Sequence, residues 1–334
     1  MRVGRLKTLA RCSLFAALVV AVGLTVFTGC GRQGDQGQSE TIRVGYTPIV
    51  ECLPLFVALE LGFFEEAGVR VQTTQFPGDA PTLEAVGAGS IDIGLSNLVS
   101  LIFAKAGGRD FVAVWGATIE DKEHTLRQLV VLADSPVRQL ADLRGKSIAV
   151  NTLKNIDQLL VTKSLAKHGV EADEVRFLEV PFPRMPAVLA NGDVDAIAVV
   201  EPFLSCSTDE GRGRVVSHYF VEADEQVWVT SYCASRAWVS RNEVALSRFR
   251  SAMDSATKYY QENEQNERYA REIMRRHARL SMELAGKMTL PVFSENLPEA
   301  RGIDSLVGDM SRRGWIDRSI ASEEVLYGHG DRRP

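Results

Sequence analysis

Short apolar runs alternate with helix-spaced amphipathic segments along most of the chain, most clearly from Ser147 to Phe203. Ser147-Ile-Ala-Val150 is an apolar run that predicts a strand, and Asn151-Thr-Leu-Lys-Asn155 is a polar break. Residues 157–168 carry apolar positions at helical spacing and close on Gly169, a stop signal. Residues 175–180 predict a second strand, and 185–190 a short helix ended by Asn191-Gly192. Residues 194–200 are apolar apart from Asp195 and deliver Glu201-Pro202 at their C-terminal end. Strands alternating with helices predict an α/β lobe, a parallel sheet covered on both faces, with ligands gathering at the carboxyl ends of the strands. That edge presents Asn151, Thr152, Asn155 and Glu201.

The same plan occurs earlier. Ile42-Arg-Val-Gly-Tyr-Thr47 stands where residues 147–152 stand, Val69-Arg-Val mirrors Val175-Arg-Phe, and Ala88-Gly-Ser-Ile-Asp92 mirrors Asn191-Gly-Asp-Val-Asp195. The copies lie 103 to 106 residues apart. Two copies are too few for a solenoid, so the repeat predicts two similar α/β lobes facing each other across a cleft. In the first lobe the ligand edge is formed by Pro48, Ile49 and Val50 with Ser96 and Asn97. The runs at 129–133 and 227–232 read as two strands crossing between lobes, a two-stranded hinge. From Arg241 the chain turns helical, with Phe249, Met253, Ala256 and Tyr260 on one face of a helix expected to pack on the first lobe. The expected organisation is therefore one lobe from residues 41–133 and 228–327, a second from 134–227, and a polar tail from 328–334.

The N-terminus departs from this pattern. Arg2, Arg5, Lys7 and Arg11 precede a largely apolar run over residues 14–27 that ends in Phe27-Thr28-Gly29-Cys30. This is the layout of an export signal over residues 1–29, not of a spanning helix. Residues 30–40, rich in Gly, Gln, Asp and Ser, read as a flexible tether. The formal charge is −5, and removal of residues 1–29 with their four basic and no acidic groups makes it −9. That balance excludes the basic face that nucleic-acid binding wants.

No catalytic pattern stands out. Gly94-Leu-Ser96-Asn-Leu lacks the second glycine of a nucleophile elbow. There is no phosphate loop and no dinucleotide fingerprint. The five histidines are scattered without ligand spacing for zinc, so no metal and no cofactor are expected. Cys52, Cys206 and Cys233 remain after the leader; Cys206 and Cys233 either pair or stay as free thiols. Asp92 and Asp195 recur in both copies, but each sits at a strand start, away from the ligand edge, which points to a structural role. Glu201, at that edge, offers a carboxylate able to accept from an amine or amidine-like group, or to form a hinge salt bridge. Asn151 and Asn155 are placed to donate to a solute or to cap the helix that follows.

Taken together, Ile42-Arg-Val-Gly-Tyr-Thr-Pro, Ala88-Gly-Ser-Ile-Asp-Ile-Gly, Leu140-Ala-Asp-Leu-Arg-Gly-Lys-Ser-Ile-Ala-Val and Gly192-Asp-Val-Asp-Ala…Glu201-Pro-Phe resemble the substrate-binding proteins of nitrate/sulfonate/taurine-type ABC importers. That family also includes binding proteins for thiamine- and riboflavin-type precursors. The resemblance implies a two-lobed type II periplasmic-binding-protein fold that closes on a small organic solute and delivers it to an ABC permease with its ATPase, without being an enzyme. It implies cleft residues at Pro48, Ile49, Val50, Ser96, Asn97, Asn151, Thr152, Asn155 and Glu201. The leader resembles a lipoprotein signal in which Cys30 is lipidated, which implies a monomer held at the extracytoplasmic face of the cell membrane. The segment Asn151 to Asn155 and Val200 before Glu201-Pro202 depart from the sulfonate binders. Two alternatives share the architecture: an enzyme of the pyrimidine-precursor synthase or dehydratase type, and a ligand sensor for a membrane receptor.

Overall fold

The structure is a computed structural model that describes residues 40–116, 118–293 and 299–328. The export signal, Cys30, nearly all of the tether and residues 329–334 of the tail lie outside the described residues. The strands are β1 (Thr41–Tyr46), β2 (Arg70–Gln75), β3 (Ile93–Asn97), β4 (Phe111–Trp115), β5 (Thr118–Glu120) and β6 (Arg127–Leu132). They continue as β7 (Ser147–Val150), β8 (Arg176–Glu179), β9 (Ala196–Val200), β10 (Gly213–Ser217), β11 (Val227–Trp228), β12 (Thr230–Ser235) and β13 (Val292–Phe293).

They form two five-stranded sheets, ordered β2-β1-β3-β12-β4 and β8-β7-β9-β6-β10. The two orders are the same plan, so the internal repeat is structural. Within each sheet the second, first and third strands run parallel, and one strand, β12 or β6, runs antiparallel to its neighbours. The expected purely parallel sheets are therefore mixed. The antiparallel member is in each case the strand that arrives from the other lobe.

This corrects the reading of residues 129–133 as a crossing strand. Leu129, Val130 and Val131 are all fully buried, and a run buried on both faces belongs inside a sheet. The crossings instead fall at β5 and β11, which pair antiparallel, and β13 adds a third strand to β5. The second sheet is built wholly from residues 127–217, while the first takes strands from both sides of that stretch.

The recurring aspartates have the same duty in each copy. Asp92, just before β3, accepts from the backbone N–H of Arg43 at 2.8 Å and from its guanidinium at 2.7 and 3.0 Å. Asp195, just before β9, accepts from the backbone N–H and hydroxyl of Ser147 at 2.8 and 2.7 Å. Each carboxylate pins the first strand of its sheet to the third.

Helix α1 (Leu53–Leu61) starts with Pro54 in its first turn and ends on Gly62, whose φ of 78° is the left-handed conformation that glycine adopts at no steric cost. It is buried beneath the C-terminal helices α6 (Glu243–Gln261) and α7 (Glu264–Ala278), which therefore cover the first lobe. Phe249, Met253, Ala256 and Tyr260 of α6 are buried, on the face that their spacing predicts. The helices that begin at the site are α2 (Asp79–Gly87) and α3 (Leu98–Ala106) on the first lobe and α4 (Ile156–Lys167) on the second; α5 (Phe203–Thr208) follows Glu201, and α8 (Ala300–Arg312) packs on α3. Among the described residues, no helix is long and apolar enough to cross a membrane.

Candidate functional site

The carboxyl ends of β1 and β3 meet those of β7 and β9 across the lobe boundary. Backbone contact is direct: Val50 N–H donates to Glu201 O at 3.0 Å. Between the faces lies a cavity of about 10 Å³ whose polar lining is Thr47, Asp79, Asn97, Arg127, Asn151, Asp157 and Thr230, room for about one water. Ile49, Leu95, Ile156 and Phe182 give it apolar walls. Admitting an organic solute requires the two faces to part and their polar contacts to be replaced.

Arg127, at the start of β6, is the one cation among these lining residues and is 2% exposed. Its guanidinium donates to Glu120 Oε1 at 2.7 Å and to Glu51 of the first lobe, and its Nε lies 3.4 Å from Asp157 Oδ1. The ring of Phe220 lies beneath it, 5.4 Å from the guanidinium carbon. Glu120 also accepts from the backbone N–H groups of Leu126 and Arg127 at 3.0 and 3.1 Å. Asp157 accepts from the Tyr219 hydroxyl at 2.8 Å and from Asn155 Nδ2 at 2.9 Å. Burial pushes these acids up, and the single guanidinium only partly opposes it. Glu120 rises to about 7, and Glu51 and Asp157 are also raised. Burial alone would lower Arg127, but the carboxylates around it outweigh that and raise it.

Asp79 opens α2 behind Gly78. It accepts from Asn97 N–H at 3.1 Å and Asn97 Nδ2 at 2.7 Å, and across the boundary from Asn151 Nδ2 at a long 3.4 Å. Burial pushes its carboxyl to about 6. Gly78 lets the lobes approach here: a Cβ on it would lie 2.9 Å from Asn151 Nδ2 and 3.0 Å from Oδ1. Several buried polar atoms at this boundary have no hydrogen-bond partner: Thr47 Oγ1, Glu51 Oε2, Arg127 Nε and Asn151 Oδ1. An orphaned buried polar atom costs about 1–3 kcal/mol, so the convergence of Thr47 Oγ1, Arg127 Nε and Asn151 Oδ1 on one cavity marks a place built to be filled.

Of the residues expected at the ligand edge, Ile49, Asn97 and Asn151 line this cavity. Pro48 and Val50 are buried beside it without lining it. Ser96 is buried with its hydroxyl donating to Asn97 O at 3.3 Å, and Thr152 is half-buried outside the cavity. Asn155 caps α4, accepting from Gln158 N–H at 3.0 Å, and spends its amide N–H on Asp157. Glu201 is buried, at 3% exposure. Its carboxylate accepts from Ser205 N–H and Oγ at 3.1 and 2.9 Å and from Thr289 N–H at 3.4 Å, turned away from the small cavity. It borders instead a recess of about 570 Å³ that also takes in Thr208, Asp209 and Lys287.

Arg127, Asp79, Asp157, Thr47 and Thr230 escape the sequence reading. Asp79 and Asp157 carry one legible signal, an acid in a helix's first turn. Nothing local marks Arg127, whose partners are 7, 30 and 76 residues away. Cys206 and Cys233 do not pair: both are free thiols, and Cys233 Sγ donates to Gly94 O at 3.3 Å. Among the described residues no cluster of His, Cys, Asp and Glu is arranged to hold a metal ion.

The chain matches the family described as "NMT1/THI5 like" over residues 50–267. It is 26% identical over 207 residues to a "Putative aliphatic sulfonates-binding protein" of Escherichia coli (strain K12), a match covering 62% of this chain and 63% of that one. With a "Putative thiamine biosynthesis protein" of Haemophilus influenzae it shares 29% identity over 285 residues, covering 81% and 85%. In structure it resembles the alkanesulfonate-binding protein SsuA from Xanthomonas axonopodis pv. citri bound to MOPS, with a TM-score of 0.73, 19% identity and coverage of 87% and 99%. It also resembles the periplasmic nitrate-binding protein NrtA from Synechocystis PCC 6803, with a TM-score of 0.69, 15% identity and coverage of 84% and 83%. These likenesses establish the periplasmic-binding-protein fold.

Proposed function

The chain belongs to the NMT1/THI5-like family, and from that premise we propose that it is an extracytoplasmic solute-binding protein. It captures a small organic solute between its two lobes and delivers it to an ABC permease, and the lipid on Cys30 holds it at the membrane. One observation carries the capture: unpartnered buried atoms from both lobes, Thr47 Oγ1 and Asn151 Oδ1, meet at a single cavity on the lobe boundary. A solute between them satisfies both lobes at once, and closure shuts water out. The names of the relatives, sulfonate-binding and periplasmic nitrate-binding proteins, support the binding of a small solute outside the cytoplasm.

Native mass spectrometry of the full chain purified from its own cells tests this reading. A bound small molecule, unaltered after incubation and lost on mild unfolding, is expected. Adding it back at 100 times Kd raises stability by about 2.7 kcal/mol. Chemical conversion of that molecule by the purified protein would establish an enzyme instead. Cys30→Ala should release the protein from the membrane fraction; unchanged retention would end the proposal of a lipid anchor.

A further inference from the structure

We infer that the solute is a cation, presenting a protonated amine or amidinium to Asp79 and Asp157, and that the site rejects anions. The inference rests on the interlobe site proposed above. Three carboxylates, Glu51, Glu120 and Asp157, surround one guanidinium, and a fourth, Asp79, lines the same cavity. Arg127 is held by three of them and has no charge left for a sulfonate or nitrate. Helix N-termini are the usual seats for anions, because their N–H groups and dipoles point outward. Of the three helices that begin at this cavity, α2 and α4 carry an acid in the first turn, Asp79 and Asp157, and α3 begins behind Asn97, whose backbone N–H already donates to Asp79. These acids put negative charge where an anion would otherwise sit.

Among the unpartnered atoms lining the cavity, Asn151 Oδ1 is an acceptor, Thr47 Oγ1 accepts or donates, and Arg127 Nε, a donor, faces Asp157 Oδ1 at 3.4 Å; Asn151 and Thr47 are at least 96% buried. Turning the Asn151 amide over would only set its oxygen against Asp79. A ligand bearing N–H groups supplies what Asn151 Oδ1 and Thr47 Oγ1 lack, while Ile49, Ile156 and Phe182 take its carbon frame. Burial, with the charge of Asp157 added to it, makes the Asp79 carboxyl reluctant to ionise, and a cation opposite it opposes that reluctance.

Thermal melts of the full chain at pH 7.5 and equal ionic strength test this, using methylammonium, guanidinium and benzamidinium chlorides against sodium methanesulfonate and sodium nitrate. Cations alone should raise Tm, with affinity about ten- to hundredfold weaker in Asp79→Asn. The probe-free melt of Asp79→Asn is recorded beside it, since the change removes a crowded negative charge but sets an amide against Asn97 Nδ2. Thr47→Val, which leaves every charge in place, should weaken the same cations several-fold and serves if Asp79→Asn fails to fold. Stabilisation by methanesulfonate or nitrate, undiminished cation binding in both variants, or an anion as the co-purified molecule would overturn the assignment while leaving solute capture standing. No stabilisation by either charge class, with nothing co-purified, would overturn both.

Discussion

Arg127, on the second sheet, donates to the carboxylate of Glu51, on the loop that leaves the first sheet. The pair is buried on both sides, at 2% and 0% exposure, and it spans the lobe boundary. It therefore couples the position of one lobe to the charge state of the other.

Arg127→Met should be the most costly single change at this boundary. It leaves Glu51, Glu120 and Asp157 without a counter-charge, and breaking a buried pair from one side costs about 3–5 kcal/mol. Urea unfolding at pH 7.5 should show that loss, and at pH 5, where the stranded acids can take up protons, the loss should shrink. An equal loss at both values would mean that Arg127 acts by packing alone.

The raised acids set a direction for stability against pH. Asp79 and Glu120 stand at about 6 and about 7 in the folded chain, above their ordinary values. Around them lie Arg127, Asp157 and Glu51 as charged neighbours, with Asn97 and Asn151 as hydrogen-bond donors to Asp79. The folded protein thus holds protons that the unfolded chain has released, so stability falls as pH rises from about 4 to 7, by at most about 1.4 kcal/mol per pH unit for each proton. Melts of the ligand-free protein should peak on the acid side of neutrality, and Glu120→Gln should flatten the slope. A rising profile over this range would contradict it. Asp195 and Asp309, whose pKa values are lowered by their partners, oppose the trend only nearer their own low values.

Glu201→Gln should lower the stability of the solute-free protein by about 1–3 kcal/mol. The amide places an N–H₂ among three groups that donate to the carboxylate, Ser205 N–H, Ser205 Oγ and Thr289 N–H. Solute affinity should hold within a few-fold, since the carboxylate is turned from the small cavity. Calorimetric titration beside solute-free melts separates the two effects, and a large loss of affinity would return Glu201 to the site.

Gly78→Ala should weaken solute binding without unfolding the protein. Its φ of 172° suits any residue, so the backbone is unstrained, but the new methyl meets Asn151 across the boundary. X-ray scattering should show a larger radius of gyration with solute present than for wild type. Identical radii would mean that Asn151 swings aside.

The repeat made much of this architecture legible. Asp92 and Asp195 recur because each sheet needs the same clamp, and the apolar runs around them are strands because their side chains are buried on both faces. The glycine after α1 and the spaced face of α6 are local signals, and local structure follows them. The site was less legible. Asn97 and Asn151 stand at strand ends where position alone selects them, yet Asn155 stands there too and is spent on capping. Glu201 follows the last apolar residue of its strand, but sequence does not tell which way a carboxylate turns. Arg127 begins a run that is otherwise apolar, and its meaning depends on acids brought together only by the tertiary fold.

The strand order has a consequence for how the protein is made. β12 sits between β3 and β4, so as the chain emerges N-terminus first, β4 appears before the neighbour it pairs with. The second sheet, drawn from one continuous stretch, can be complete while the first still has an open edge on β3 and a strand with no partner in its sheet. Exposed edges of this kind are where chains misassociate. The first lobe, although it begins the fold, finishes last and is the part of a nascent chain that most needs shelter until Thr230–Ser235 emerges.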